Sequence, residues 1–309
     1  NYIDKLIVFN KKFSFKKKIK IFFKIISDNY FASFVLDGKN FSYLCNMFIN
    51  SKSKFGISYV SCFKIFNFNL KFYKPFYLYN LFFFKKFETF TSKDSLIKSE
   101  NLCQKYLNLF NFFKLNLKIV DKYIFQNNRI TDKKFLYIKK KIKLKNYILI
   151  HLDEKWIDVF NKNSNIVNGI NLLSRNTKNQ IIITSYKNKN NYFLNIKKKY
   201  DYFDYKSNSI NKLKKSNILI IDNLDIFLFE RFIKESKINI SCHSGFLVQV
   251  SGANESKIID IINKNDHKWY NCWRPSNTFH KFIFKSDINN KKIKPEIFFN
   301  KISDLINNF

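Results

Sequence analysis

Residues 238–275 read INISCHSGFLVQVSGANESKIIDIINKNDHKWYNCWRP. Ile238–Ile240 is short and apolar and reads as a buried strand. Cys242-His243-Ser244-Gly245 is a small polar turn able to open a helix. Phe246–Ala253 is mostly apolar, and Lys257–Ile262 is a second buried strand. Strand, turn, helix and strand in that order make a βαβ unit. The turn leaves backbone N–H groups at the positive end of a helix dipole, which suits a phosphate group. Gly245 and Gly252, two of the chain's five glycines, lie here, with His243 and His267, two of its four histidines. The plainer alternative is a βαβ unit with a tight turn and no ligand.

Working outward, the second half repeats this grammar. Tyr147–His151 is a continuous apolar strand, as in a parallel sheet covered on both faces, and it runs into Asp153-Glu154-Lys155-Trp156. A helical stretch from Ile157 to Arg175 precedes the strand Gln180–Thr184, which ends at Thr184-Ser185. Residues 186–215 are polar, with room for one helix and one short strand. Ile218–Ile221 ends in Asp222-Asn223 and is followed by the amphipathic helix Leu224–Lys234. Thr278–Ser286 holds a further strand and Lys294–Asn308 a closing helix. Such alternation predicts a doubly wound sheet with ligands at the carboxyl ends of its strands. Polar residues cluster at four of those ends: His151–Lys155, Thr184-Ser185, Asp222-Asn223 and Cys242–Gly245. Right-handed crossovers bring them to one edge, where they make a crevice.

The first half is less regular. Tyr2–Phe9 and Phe31–Leu36 read as strands, the second ending at Asp37-Gly38. Lys11–Ile25 and Ser42–Phe48 read as helices, and Phe55–Tyr59 as a strand. Residues 61–90 are dense in aromatics and lysine, a composition for helices lining a groove or for a surface against a membrane. Residues 95–118 carry helical spacing. Asn127–Lys145 is polar and basic and reads as the approach to an interdomain linker.

Composition sets the outer bounds. The 309 residues suffice for two domains, and 46% hydrophobic content supports a sizeable core. Thirty-eight phenylalanines against one methionine, with abundant lysine and asparagine, are the coding bias of an AT-rich genome. The net charge is +33. Residues 1–145 hold 30 basic and 8 acidic residues, a net of +22, and residues 146–309 hold 26 and 15, a net of +11. That field favours nucleic acid, an anionic membrane surface or phosphorylated substrates, against the plainer reading of a solvated lysine surface. Cys45, Cys62, Cys103, Cys242 and Cys272 form no CxxC pair, so no structural zinc site is expected. Sparse cysteine and the lack of a signal-peptide pattern point to a reducing, cytoplasmic location. The charge extends that reading to peripheral contact with an inner membrane.

The order of the pieces resembles glycosyltransferase family 9, the heptosyltransferase-like enzymes of the GT-B fold. The segments that carry the resemblance are ILIHLDEKW (148–156), LDIFLFERFIKES (224–236), ISCHSGFLVQVSGAN (240–254), KIIDII (257–262) and Trp273-Arg274-Pro275. In the first half, VLDGKNFSY (35–43) and SKSKFGISY (51–59) look like the family's third-strand region and the segment after it. The likeness spans most of the chain thinly, and 240–254 is its most specific part. It implies two Rossmann-like α/β domains with parallel sheets and helices on both faces. Residues 1–145 would form the acceptor-side domain, incomplete at its start. Residues 146–285 would form the nucleotide-sugar-binding domain, and 286–309 a C-terminal helix.

The activity implied is transfer of a heptose-like or other hexose from a nucleotide-diphosphate donor to a lipopolysaccharide or other surface glycan. The donor is a co-substrate, and no metal or other cofactor is expected. The acceptor would be an anionic or lipid-linked glycan, and no nucleic-acid partner is expected. Donor-binding candidates are His243, Ser244, Gly245, Lys155, Thr184, Ser185 and Glu230. The N–H groups of the corner, with His243 and Lys155, would meet the departing diphosphate. Thr184 and Ser185 would line the pocket, or simply cap a helix. Glu230 resembles the family's ribose-binding acid, against the plainer reading of a solvated residue on an amphipathic helix. His151 reads as an ordinary strand-end histidine and Asp37 as a turn cap.

Two departures from the family pattern stand out. Its first strand and glycine turn, which carry a catalytic aspartate, have no counterpart, and Tyr2–Phe9 looks like its second strand. The general base is therefore expected upstream of Asn1, or the chain is a non-catalytic GT-B-like domain. The usual Asp-Ser/Thr-Gly turn is His243-Ser244-Gly245 here, with Phe246 in place of the proline of a Ser-Gly-Pro variant. The competing reading from another class is a basic nucleic-acid- or ribosome-associated protein, supported by charge and aromatic content and opposed by the regular strand–helix order.

Overall fold

The computed structural model describes residues 13–36, 40–65, 68–72, 86–91, 102–110, 129–153, 155–156, 163–185, 191–211, 217–267, 270–271, 275, 279–285 and 295–309. The strand read at Tyr2–Phe9, the turn at Asp37-Gly38 and the pair Trp273-Arg274 lie outside them. So do the start of the helix read from Ile157 and both ends of the one read over 95–118. The chain divides into two compact units, Asn1–Ile119 with Lys268–Trp273, and Val120–His267 with Arg274–Phe309.

The first unit contains α1 (Phe15–Ile26), β1 (Asn29–Val35), α2 (Asn40–Phe48), β2 (Asn50–Ile65), β3 (Phe68–Phe72), β4 (Lys86–Thr91) and α3 (Leu102–Phe110). The 16-residue β2 is its axis. It runs parallel to β1 from Asn50 to Gly56, parallel to β4 from Phe55 to Val60, and antiparallel to β3 from Ser61 to Ile65. Phe34 stacks on both Phe55 and Phe110, with ring centroids 4.9 and 4.5 Å away, and Phe55 is fully buried. The aromatic stretch 61–90, expected as helices or a membrane-facing surface, holds strands among its described residues. Phe63-Lys64-Ile65 and Phe68-Asn69-Leu70-Lys71-Phe72 alternate apolar and polar residues with period two, and that pattern outweighs aromatic density.

The second unit contains α4 (Arg129–Lys141), β5 (Tyr147–Leu152), α5 (Asn163–Asn176), β6 (Gln180–Ser185), α6 (Asn191–Lys197), β7 (Asp201–Asp204), β8 (Ser209–Asn211), β9 (Ile218–Asp222), α7 (Ile226–Glu235), β10 (Ile238–Ser241), α8 (Gly245–Ala253), β11 (Ile258–Ile262), β12 (His280–Phe284) and α9 (Pro295–Asn307). Its sheet has the order β12-β11-β10-β5-β6-β9-β7-β8, and every pair is parallel except the β7–β8 hairpin. The chain builds outward from β5 through β6 to β7 and the edge strand β8, inserts β9 between β6 and β7, then returns to build outward from β5 through β10, β11 and β12. The sheet therefore switches direction between β5 and β10, where ligands of such sheets bind.

Both faces are covered. In YILIHL, Ile148, Ile150 and Leu152 join one core with Ile166, Ile170, Phe298, Phe299 and Ile302 of α5 and α9. Tyr147 and Leu149 join the opposite core with Phe135, Leu228, Phe232, Leu247 and Val248 of α4, α7 and α8. This two-sided burial is why the strands read as unbroken apolar runs. The polar stretch expected to lead into a linker holds α4, whose narrow inward face of Thr131, Phe135 and Ile138 is buried. Phe135 meets Phe232 edge-on at 5.0 Å, and Asp132 pairs with Arg231. Asn239 pins β10 to the helices above it, donating to the Ile233 carbonyl and to Ser251 Oγ of α8, each at 3.2 Å.

On the other face, α5 and α9 touch closely at Gly169. A methyl group there would overlap the fully buried ring of Phe299. Gly169→Ala is expected to destabilise the unit by about 1–3 kcal/mol through overpacking, read as a lowered urea midpoint with an unchanged slope.

Candidate functional site

Phe282, Asp260, Ser241, His151 and Thr184 lie in one registered row across five parallel strands. Four are polar, and all four polar residues are buried. Ser241 closes β10, and His151 and Thr184 stand one residue before the ends of β5 and β6, where the segments leaving β5 and β10 flank the switch between them; Asp260 lies at the middle of β11.

The chain leaving β5 turns at Asp153, which is buried and whose Oδ1 accepts from the Lys155 backbone N–H at 3.1 Å. Trp156 is buried, and its indole N–H donates to the His151 carbonyl at 2.8 Å. These bonds fix the path of Lys155, whose ammonium reaches across the switch and donates to the His243 carbonyl at 2.8 Å. That bond uses one of the three ammonium donors.

The chain leaving β10 makes the facing corner. His243 adopts φ of +54°, the left-handed region that a side chain enters only at a cost of order 1 kcal/mol or more. The Asp260 carboxylate of β11 holds it there. Oδ1 accepts from the His243 backbone N–H at 2.8 Å, and Oδ2 stands 2.6 Å from His243 Nδ1. Oδ2 also lies 3.3 Å from His280 Nε2 of β12. Burial pushes the Asp260 carboxyl upward, but its hydrogen bonds with His243 and His280 outweigh that and hold it below 3.8. Asp260 is thus an acceptor at neutral pH, so His243 carries a proton on Nδ1 and His280 one on Nε2.

Ser244 opens α8. Its backbone N–H donates to Ser241 Oγ at 3.2 Å, and its side chain makes no capping bond to the first turn. A methyl group built on Gly245 meets nothing within 4 Å, so the helix N-terminus opens onto space. The corner combines a positive dipole end, an open glycine and a neighbouring ammonium, which is an arrangement for holding an anion.

The other candidates stand nearby in different roles. Thr184 is buried with Oγ1 3.0 Å from His151 Nδ1, and Ser185 Oγ donates to the Leu152 carbonyl at 2.7 Å. Both hydroxyls tie β6 to the end of β5. Burial, helped by the Lys155 charge, lowers the His151 imidazole to about 3, so this ring stays neutral. Glu230 is half-buried on α7. Burial raises its carboxyl to about 7, against the opposing charges of Arg231 and Lys234. Its neighbour Phe229 lies 4.8 Å from the His151 ring and stacks on Phe246 of α8 at 5.7 Å, which sets this part of α7 beside the corner. The fourth strand-end cluster is satisfied internally: Asp222 accepts from Tyr202 at 2.7 Å, and Asn223 donates to Asp204 at 2.9 Å.

Asp260 and His280 are the residues that the reading of motifs passed over. The signal for Asp260 was present. A lone acid inside the apolar run KIIDII must be paired when the strand is buried on both faces.

The chain aligns with the structure of E. coli heptosyltransferase WaaC with ADP at a TM-score of 0.54 and 13% identity, covering 95% of this chain and 79% of that one. It aligns with E. coli ADP-heptose LPS heptosyltransferase II at a TM-score of 0.57 and 10% identity, covering 94% and 80%. No family model and no curated protein sequence matches the chain. The fold is that of these GT-B glycosyltransferases.

The depressed Asp260 carboxyl fixes an acid response. Its contribution to stability is complete above the unfolded pKa, near 3.8, and is lost as pH falls through the lower folded value. Asp260→Asn is expected to flatten the acid limb of the stability–pH curve and to lower stability at pH 7, both measured by urea titration.

Proposed function

We propose that the chain is a glycosyltransferase that takes a sugar from a nucleotide-diphosphate donor, without a metal, and passes it to a lipopolysaccharide or other surface-glycan acceptor. One observation carries this reading: the Lys155 ammonium bonded to the His243 carbonyl over the open N-terminus of α8, at the switch of a doubly wound sheet. The similar E. coli structures are described as holding ADP and ADP-2-deoxy-2-fluoro heptose, which supports a nucleotide-diphosphate sugar as the donor class.

In the transfer, the anomeric carbon leaves the diphosphate oxygen as it bonds to the acceptor hydroxyl oxygen. Negative charge develops on the departing diphosphate. The α8 dipole and Lys155 meet that charge, and both are in place before reaction. Asp260 keeps the His243 corner in shape for it. Glu230, once ionised, accepts hydrogen bonds from ribose hydroxyls, while Thr184 and Ser185 shape the pocket wall at β6. The base that takes the acceptor proton is assigned to none of these residues. The acceptor-side role falls to the first unit, whose positive charge suits an anionic, lipid-linked glycan.

A screen of ADP, GDP and UDP and their sugars is expected to find a nucleotide that stabilises the chain. At a hundred times Kd a ligand adds about 2.7 kcal/mol, or about 5–10 °C in Tm for a unit of this size. Lys155→Met is expected to weaken binding about 10- to 100-fold, the worth of a charge-assisted hydrogen bond. Gly245→Ala is expected to leave the Tm of the free protein unchanged and weaken the same ligand, because its methyl group enters only ligand space. Steeply salt-dependent RNA binding with no nucleotide response would contradict the reading.

Glu230 sets a pH dependence. Its carboxyl titrates at about 7, so nucleotide affinity is expected to rise from pH 6 to pH 8 as the carboxylate forms. Calorimetric titration of Glu230→Gln at the same pH values is expected to lose that rise.

A further inference from the structure

Helix α1 carries two parallel ridges. Phe15, Ile19 and Phe23 stand four residues apart and are 78%, 39% and 60% exposed. Lys16, Lys20 and Lys24, each one position further on, are also exposed. At about 100° per residue these become adjacent stripes, one apolar and one cationic, running the length of the helix. Ile21 and Ile25 on the far side are partly covered, as is Phe22, which borders the apolar stripe about 20° from Phe15 and meets the Phe48 ring edge-on at 5.8 Å. Phe48 is itself 53% exposed and extends the apolar surface beyond the helix. No acidic residue occurs in α1, and none of its residues is buried.

We propose that α1 is a docking helix for an anionic lipid surface. The Phe15–Ile19–Phe23 stripe enters the boundary between headgroups and acyl chains, and the Lys16–Lys20–Lys24 ridge meets the lipid phosphates. A phosphate-backbone partner would use the lysines but would leave Ile19 and the phenylalanines in water. A second copy of the chain, packed stripe to stripe, would set one lysine ridge against another. An anionic bilayer satisfies both ridges at once. The proposal stands independently of the donor-site reading, and it gives the first unit a surface on which a lipid-linked acceptor would be met.

The test is co-sedimentation of the full chain with vesicles of equal parts phosphatidylglycerol and phosphatidylcholine, against vesicles of phosphatidylcholine alone. Partition into the anionic vesicles is expected to exceed that into neutral ones and to fall with salt. Combined Phe15→Ser, Ile19→Ser and Phe23→Ser are expected to lower it about tenfold or more, with Tm and nucleotide response unchanged. Combined Lys16→Glu, Lys20→Glu and Lys24→Glu are expected to remove the preference for anionic lipid. Equal binding by the serine variant and the wild-type chain would overturn the proposal, as would equal binding to neutral vesicles. Loss of RNA-oligonucleotide binding in the lysine variant with no change in vesicle binding would also overturn it and assign the ridge to nucleic acid. Loss of nucleotide response with vesicle docking intact would count against the donor site alone.

Discussion

The site depends on one buried carboxylate. Asp260 accepts from the backbone and the ring of His243, and without it a non-glycine residue has little reason to hold a left-handed corner. The corner in turn aims the first turn of α8 outward and offers its carbonyl to Lys155. A carboxylate with no exposed surface is tolerable only because His243 and His280 partner it from both sides. Removing one histidine is thus a different perturbation from removing the acid. The first thins a network, while the second releases the backbone of the corner.

The doubly wound unit was legible because its strands are buried on both faces and therefore unbroken. YILIH, QIIIT and ILII each mark a strand from composition alone, and the strand-end clusters follow from the crossover rule. The polar segments were harder. α4 hides a narrow inward face in a basic stretch, and its Phe135 is covered by Phe232 of α7 on the same side of the sheet, a contact no local pattern announces. The long β2 and its hairpin with β3 were masked by phenylalanine density, which composition favours in any secondary structure in this chain.

The candidate site was legible at the corner and less so around it. Lys155 and the His243–Gly245 turn stand out by their position after buried strands. Their meeting across the switch is a property of strand order, which places β10 beside β5 although 88 residues separate the hydrogen-bonded Lys155 and His243. The role of the histidine was readable only in part. Its place in the turn suggested contact with phosphate, whereas the structure shows its ring engaged with Asp260.

The most direct measurement is a crystal structure of the chain with the nucleoside diphosphate that stabilises it most. The account predicts the terminal phosphate at the N-terminus of α8, within hydrogen-bond distance of Lys155 Nζ and over Gly245. A nucleotide found elsewhere, for example in the open cavity lined by Leu194, Lys197, Lys198, Tyr202 and Asn211, would contradict it.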